Sequence, residues 1–471
     1  MRLGRTATVH FVGQVVVSVA GFVATFLIAR LLGAGPLGEY AIAVGLLFWF
    51  SIPLNGIGGA ITKRVSEGTN TGSRFTAGFL SNVGIAAGIA AVVVLFRDEL
   101  NAYIGAPVGS LVGLLVVANA LFISVRCGLE GEQRVAEAGL FKAAERVFRT
   151  GGQVVFIVLG WHVAGLVIGH VLSLLIVVVA GLAVSNLSVR LPTRKDFHDL
   201  YTYGRYSWMG TLESRVFGWM DTLVLALFVS STFIGIYEVA WTLSSFLGIA
   251  SASIRTTLFP KLSELSTEDR EDRVLHFLEE GLAFTGVLTI PGLFGVAVIG
   301  PRVLGVYGTE FTQGGRILLL LIVAQIFNVY KSPLTSVINA IDRPDVTFRI
   351  NVQFIVTNVT LNVVLIWQYG WYGAAAATVL SSGLALFLGY RAVYSLLDRP
   401  PFPVSEIGIQ TLAAAAMAVL LVVVDEYAPS NAVGTVSLVL FGAAVYGTLL
   451  WTFSGRFREK VGLVLPDTAL P

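Results

Sequence analysis

The chain has 471 residues, 55 % of them hydrophobic and 13 % charged, with a formal net charge of +2 and a mean hydropathy of +0.80. Soluble domains carry roughly 25 % charge, so this composition excludes a soluble protein and predicts an all-α polytopic membrane protein. The single cysteine, Cys127, excludes an internal disulfide, and no nucleic-acid partner is expected.

Apolar runs of about 20 residues, each long enough to cross a bilayer, recur along the whole length. About fourteen spans are predicted, centred near residues 20, 50, 86, 116, 151, 173, 216, 246, 290, 326, 356, 383, 415 and 442. The first run is too long for the apolar part of a signal peptide and is expected to remain as a span. If Arg2 and Arg5 lie in the cytoplasm, alternate loops should be basic. They are: Lys63, Arg64 and Arg74, then Arg134, Lys142, Arg146 and Arg149, then Arg190, Arg194 and Lys195. Lys261, Arg270 and Arg273 continue the pattern, followed by Arg343, Arg349, Arg391, Arg399 and the tail's Arg456, Arg458 and Lys460. Both termini are therefore expected in the cytoplasm, with the protein in the cell membrane.

Two stretches 197 residues apart carry one pattern. Ala29-Arg-Leu-Leu-Gly-Ala-Gly-Pro-Leu-Gly38-Glu-Tyr40-Ala-Ile-Ala43 matches Ala226-Leu-Phe-Val-Ser-Ser-Thr-Phe-Ile-Gly235-Ile-Tyr237-Glu-Val-Ala240. In the same register, Arg64 to Glu67 falls on Lys261 to Glu264. The period holds about six spans, an even number, so the copies enter the membrane with one orientation. Two parallel six-helix lobes are expected, related by an axis along the membrane normal. The predicted division is 1–190 for the first lobe, 191–398 for the second, and 399–471 for a last helix pair and cytoplasmic tail. The polar stretch Ser185–Tyr203 links the lobes, and Asp398-Arg-Pro-Pro-Phe-Pro403 sets off the pair. The charged segment Leu265–Glu280 reads as a surface helix with Leu275, Phe277 and Leu278 facing lipid.

The chain has no Gly-x-x-x-x-Gly-Lys-Ser/Thr phosphate loop, no His/Cys cluster with metal-ligand spacing and no long outer loop. No enzyme, metal or cofactor is expected. Ionisable groups inside spans are the positive signal, because a charge in lipid is expensive and usually functional. Arg215, Arg255 and Lys331 are candidates to hold an anion in a water-filled cavity; the alternative is ion pairs that fix packing, such as Glu213 with Arg255. Asp221 lies in the outer half of span seven, and Pro333 follows Lys331 at an expected kink. On span five Lys142, Arg146, Arg149 and Gln153 share one face, suited to phosphate or to ordinary positive flanking. Uncharged stripes run along span one (His10, Gln14, Ser18, Gly21, Thr25) and span eleven (Asn351, Asn358, Asn362). Amides facing a cavity suit sugars; the alternative is hydrogen bonding between helices. Pro53 with Asn55-Gly-Ile-Gly-Gly59 is expected to bend span two, as a hinge or a close contact. Spans one to six hold no buried Asp or Glu on this reading, since Glu39, Glu67, Asp98 and Glu99 lie at ends or loops.

Ala29 to Ala41, Asp221-Thr-Leu-Val-Leu-Ala-Leu-Phe leading into Gly235-Ile-Tyr-Glu-Val-Ala, Leu258-Phe-Pro-Lys-Leu-Ser-Glu264 and Gly128-Leu-Glu-Gly-Glu-Gln-Arg134 together resemble the polysaccharide-biosynthesis, oligosaccharide-flippase branch of the multidrug/oligosaccharidyl-lipid/polysaccharide exporter superfamily. The likeness covers essentially the whole chain as diffuse patterns. It implies two lobes with a central cavity, no chemical reaction, and a polyprenyl phosphate- or pyrophosphate-linked oligosaccharide as cargo, flipped by alternating access for surface-polysaccharide or glycoprotein assembly. It also implies a monomer that works beside glycan-assembly enzymes. Only Arg30 and Asp221 belong to the matching patterns. The rival within the superfamily is a drug or cation antiporter, which typically uses a buried acidic residue in the first lobe; a glycan polymerase or ligase is the alternative from another class.

Overall fold

The computed structural model describes residues 19–207, 209–248, 271–397 and 402–464. Every described regular element is helical, as an apolar chain in lipid must be when its backbone groups can pair only within a segment. Packing divides the chain into two compact units, Met1–Glu238 and Val239–Pro471. This division reports contacts, whereas the expected 190/191 boundary reports the repeat.

The first unit opens with α1 (Val19–Leu32), α2 (Ala34–Phe50) and α3 (Ile52–Ser66). Gly33, at φ 85°, makes the turn between α1 and α2. The pair α2–α3 is one bent span, turning by 50°, and the bend falls where the Pro53 motif predicts. Pro53 lies in the first turn of α3, where its missing N–H is harmless. Side chains add bonds around the bend: Ser51 Oγ donates to Leu47 O (2.6 Å), Asn55 Nδ2 to Ser51 O (2.7 Å) and Asn119 Nδ2 to Ser51 Oγ (2.7 Å). Gly58 is a close contact, since a Cβ there would meet Ile123 and the Cys127 sulfur within 3 Å.

Then follow α4 (Thr71–Leu95), the short α5 (Arg97–Ile104), α6 (Gly109–Gly131), α7 (Val135–Val158) and α8 (His162–Val184). The core of the unit is α3, α4 and α8 around α6, with α7 laid on α8. The interlobe stretch is partly helical: α9 (Arg194–Ser207) packs on α3 and α4 through the buried Leu200. The Asp196 carboxylate accepts from Ser73 Oγ (2.6 Å) and from the N–H and hydroxyl of Thr193 (2.8 and 2.7 Å). Next come α10 (Met209–Leu225) and α11 (Ser231–Leu247), and the unit ends inside α11.

The second unit contains α12 (Glu271–Thr285), α13 (Thr289–Gly305), α14 (Gly315–Ala340), α15 (Pro344–Tyr369), α16 (Trp371–Leu397), α17 (Val404–Asp425), α18 (Ala432–Phe453) and α19 (Gly455–Val464). Here α16 packs against both α14 and α15, and α13 packs against α17. Ile290, Ala413, Ala414, Met417, Leu438 and Tyr446 bind the last pair to α13. The surface-helix expectation is corrected at α12. Leu278 is 0 % exposed and Val274 is buried beside it, so this stripe faces protein, because α12 continues into α13 as one apolar 33-residue stretch. Gln410 Nε2 covers the break between them by donating to Ala283 O (2.6 Å). Residues 265–270 lie outside the described residues.

All fourteen predicted centres fall on helices. Among the described residues nine helices, and the bent pair counted as one span, are long and apolar enough to cross a membrane.

Candidate functional site

The helix that departs most from lipid-like composition is α7. Its 24 residues reach about 36 Å, enough to span roughly 30 Å of hydrocarbon. Yet it carries Glu137, Lys142, Glu145, Arg146 and Arg149 and is not among the apolar spans. Leu140, Val147, Phe148, Val155 and Val158 are exposed on one side, as a lipid-facing stripe requires, which turns Glu145, Arg146 and Arg149 toward protein, while Lys142 is exposed.

Glu145 is 3 % exposed, which corrects the expectation that the first six spans lack a buried carboxylate. It sits one turn before Arg149, which grips it with two parallel bonds, Nε to Oε1 at 2.9 Å and Nη2 to Oε2 at 2.7 Å. From α8, Ser173 Oγ donates to the same carboxylate (3.1 Å) and His170 Nε2 lies 3.7 Å away. Tyr40 of α2 meets His170 Nδ1 at 3.1 Å. Gln153 donates to Leu166 O at 3.2 Å, while its Oε1 is buried without a hydrogen bond. Arg149 and Gln153, both expected on the ligand face, are thus engaged by protein in this structure.

Arg146 is different. Its Nε is buried without a hydrogen-bond partner, and its guanidinium lies against α1, where a Cβ on Gly21 would meet Nη2 at 2.7 Å. Glu145 and Glu238 attract it electrostatically, and Arg149 repels it. It is the twelfth residue of α7, near mid-membrane. Lys142 senses both Arg146 and Arg126, and Arg215 senses Arg126. Arg126 itself is paired to Glu130 on α6. Arg126, Lys142, Arg146, Arg149 and Arg215 outnumber Glu130, Glu145 and Glu238, so the field here favours an anion.

On α10, the Arg215 guanidinium stacks 4.5 Å from the Phe48 ring centroid, and Phe48 packs on Trp219 with centroids 4.8 Å apart. Glu213 is half-buried. Asp221 is buried and accepts from the Tyr237 hydroxyl. Arg30 is exposed at the end of α1 and Pro53 is exposed at the bend.

The second unit holds candidates of its own. Lys331 is 6 % exposed on α14, with Nζ 5.5 Å from the Phe354 ring centroid. Pro333 lies within α14, which continues unbroken to Ala340, and Thr335 and Ser336 both donate to the Ser332 carbonyl, each at 3.0 Å. Asn358 and Asn362 are fully buried and tie α15 to α16: Asn358 Nδ2 donates to Ser381 Oγ (3.0 Å) and Asn362 Nδ2 to Asn358 Oδ1 (3.1 Å). Asn351 is half-buried, its Oδ1 without a hydrogen bond. Gln14 and Arg255 lie outside the described residues, and so does any Glu213–Arg255 pair. Among the described residues no group of three or more His, Cys, Asp or Glu side chains is placed to hold a metal ion.

Sequence reading missed Glu145 and Arg126. Both carried a signal: Glu145 precedes Arg149 by four residues and Arg126 precedes Glu130 by four, the spacing of an intrahelical pair.

The sequence profile of the polysaccharide biosynthesis protein family matches residues 27–313. A Haloferax volcanii protein named probable flippase AglR is 35 % identical over 99 % of both chains. From the same organism, the probable low-salt glycan biosynthesis flippase Agl15 is 27 % identical over 96 % of this chain and 95 % of its own. Among solved structures, the lipid II flippase MurJ in an inward closed conformation superposes with a TM-score of 0.81. It covers 96 % of this chain and 99 % of its own at 15 % identity, a likeness of fold.

Proposed function

Because this chain belongs to the polysaccharide biosynthesis protein family, we propose that it is a flippase, moving a polyprenyl phosphate- or pyrophosphate-linked oligosaccharide from the cytoplasmic to the outer leaflet. It is a multi-pass membrane protein, and the flippase-named relatives along nearly its whole length support this cargo class. The observation that carries the reading is the polar face of α7. Cations outnumber carboxylates along it, and Arg146 keeps its Nε without a hydrogen bond. A phosphate oxygen is the partner such a guanidinium fits best.

The protein's part is to bind, shield and release, with no bond made or broken. Arg146 takes the phosphate, with Arg215 as a second cation and Arg149 held in reserve by Glu145. Amides such as Asn351 and Gln14 lie on stripes suited to sugar hydroxyls. Lobes 1–190 and 191–398 alternate access, the pair within 399–471 attends the lipid tail, and both termini stay in the cytoplasm of the cell membrane. The working unit is a monomer that receives cargo from glycan-assembly enzymes. Cation antiport fits less well, because the buried carboxylate Glu145 is already satisfied by Arg149 and Ser173.

The test is made in cells lacking the protein. They are expected to accumulate complete lipid-linked oligosaccharide on the cytoplasmic leaflet, relieved by the wild-type gene and not by Arg146→Ala at equal abundance. Normal glycan traffic in the deletion, with altered tolerance to cationic drugs, would point to the antiporter instead.

A further inference from the structure

At the break between α12 and α13, three buried oxygens from three other helices of the second unit come together without a hydrogen bond. They are Tyr330 Oη of α14, Gln410 Oε1 of α17 and Tyr446 Oη of α18, on residues 5 %, 4 % and 6 % exposed. A Cβ built on Gly286, in the break, would fall 2.4 Å from Tyr330 Oη and 3.1 Å from Gln410 Oε1. The two oxygens thus flank one glycine, within the span of a single bridging molecule that holds each partner at about 2.8 Å. The same Cβ would meet Ile290 Cδ1 at 2.7 Å, and Ile290 shares its apolar cluster with Tyr446. Tyr446 also senses the Tyr330 phenol electrostatically, so it borders the same spot.

The break follows from local sequence. Gly286 has no Cβ to crowd the phenol, and Pro291, the third residue of α13, has no N–H to give to the Val287 carbonyl. Neighbouring donors are already engaged: Gln410 Nε2 by Ala283 O (2.6 Å) and the Thr285 hydroxyl by Gly281 O (2.8 Å). The three remaining oxygens define a ligand. A phenol donates and accepts, whereas an amide oxygen only accepts. Their partner must therefore donate to Gln410, exchange hydrogen bonds with both phenols and carry no charge, because none of the three groups is charged to balance one. An anion would face the Gln410 oxygen, and a cation would have no carboxylate among these groups. A buried water, which makes about three hydrogen bonds to otherwise unpaired polar groups, meets every condition.

We propose that Tyr330, Gln410 and Tyr446 bind water at the α12–α13 break, and that this wet break is a hinge inside the second unit that turns as cargo moves. Water inserted beside an interrupted helical ladder is a known cause of a kink. It can trade partners as the backbone turns, whereas a direct side-chain bond fixes one angle. Gly286 lies between two helix ends, the kind of position that absorbs a change in φ and ψ. The hinge's part in transport rests on the flippase reading; the water site does not.

The test is X-ray radiolytic footprinting of the full-length protein in nanodiscs, where hydroxyl radicals formed from bound water oxidise the side chains around it. Tyr330 and Tyr446 are buried, so both should be labelled only because water is held beside them. Their silence in wild type would overturn the site. Gly286→Ala with Tyr330→Phe exchanges the phenolic hydroxyl for the methyl it would have met, and should lower Tyr446 labelling several-fold at wild-type abundance. Should that variant not accumulate, Tyr446→Phe keeps the shape and should lower Tyr330 labelling likewise; labelling that ignores both changes would overturn the site. A thermal midpoint raised by sodium in wild type but not in Tyr446→Phe would place a cation there and overturn it too. Amide hydrogen exchange across 284–292 reads the hinge without cargo, and should be several-fold faster in wild type than in the drier variant, which should also transport several-fold more slowly. Equal exchange, or equal transport, would overturn the hinge. Wild-type protein that labels and exchanges as expected yet moves no lipid-linked oligosaccharide would refute the flippase reading and leave the wet break standing.

Discussion

Two helices, one in each unit, treat polar groups at membrane depth differently. In the first, α7 carries full charges, and the neighbouring helices satisfy some of them while leaving Arg146 Nε without a hydrogen bond. In the second, Asn358, Asn362 and Ser381 close on one another between α15 and α16. Neutral amides that pair internally glue helices. A cation with an unused donor beside carboxylates suits an anion, which is the reading proposed for Arg146. Burial alone does not distinguish these roles, and neither does an unused atom, since Asn362 Oδ1 also lacks a hydrogen bond; the difference is that Arg146 carries a full charge.

That contrast can be broken in graded steps. The largest effect is expected from Glu145→Gln. Its carboxylate and the Arg149 guanidinium are 4 % and 12 % exposed, and removing one partner of such a pair costs about 3–5 kcal/mol. The abundance and thermal stability of purified protein should fall, and Glu145→Gln with Arg149→Gln should recover much of the loss. Arg146→Gln should instead leave stability near wild type and weaken cargo binding roughly ten- to hundredfold, the worth of a charge-assisted hydrogen bond. Titration with a polyprenyl diphosphate sugar measures it. Asn358→Ala should destabilise by about 0.6–1.7 kcal/mol with transport per molecule retained, as a thermal melt beside a transport assay would record.

The smallest effect lies outside the membrane. The Ser73 hydroxyl first, then the Thr193 N–H and hydroxyl, hold the Asp196 carboxyl below its usual range. Its folded value is the lower one, so its contribution is complete above about pH 4 and disappears as pH falls through the folded value. Melts of wild type and Asp196→Asn should therefore converge under acid. A constant difference down to pH 2 would show that the shift does not stabilise the fold.

Much of this fold was legible because apolar runs in lipid admit few structures. Pro53 marked its bend, since a proline at the first helical turn announces a fresh helix start. Where reading failed, partnership was at fault. Arg149 reads in sequence as a free cation of the row, while in the fold it is bonded to Glu145 one turn earlier. Leu278 looked lipid-facing because its segment is charged, while its burial depends on a chain continuing into α13 and packing within the second unit. Arg146 shares the face of Arg149, but which of its neighbours would leave it available depends on contacts from α1 and α8 that no local pattern encodes.

The most direct test of the account is protein-dependent translocation of a polyprenyl diphosphate-linked sugar in proteoliposomes. Wild type, Arg146→Ala and Asn358→Ala would be compared at matched incorporation. Wild type and Asn358→Ala are predicted to translocate while Arg146→Ala does not. Translocation by Arg146→Ala at the wild-type rate would contradict the assignment of α7 as the phosphate-holding helix.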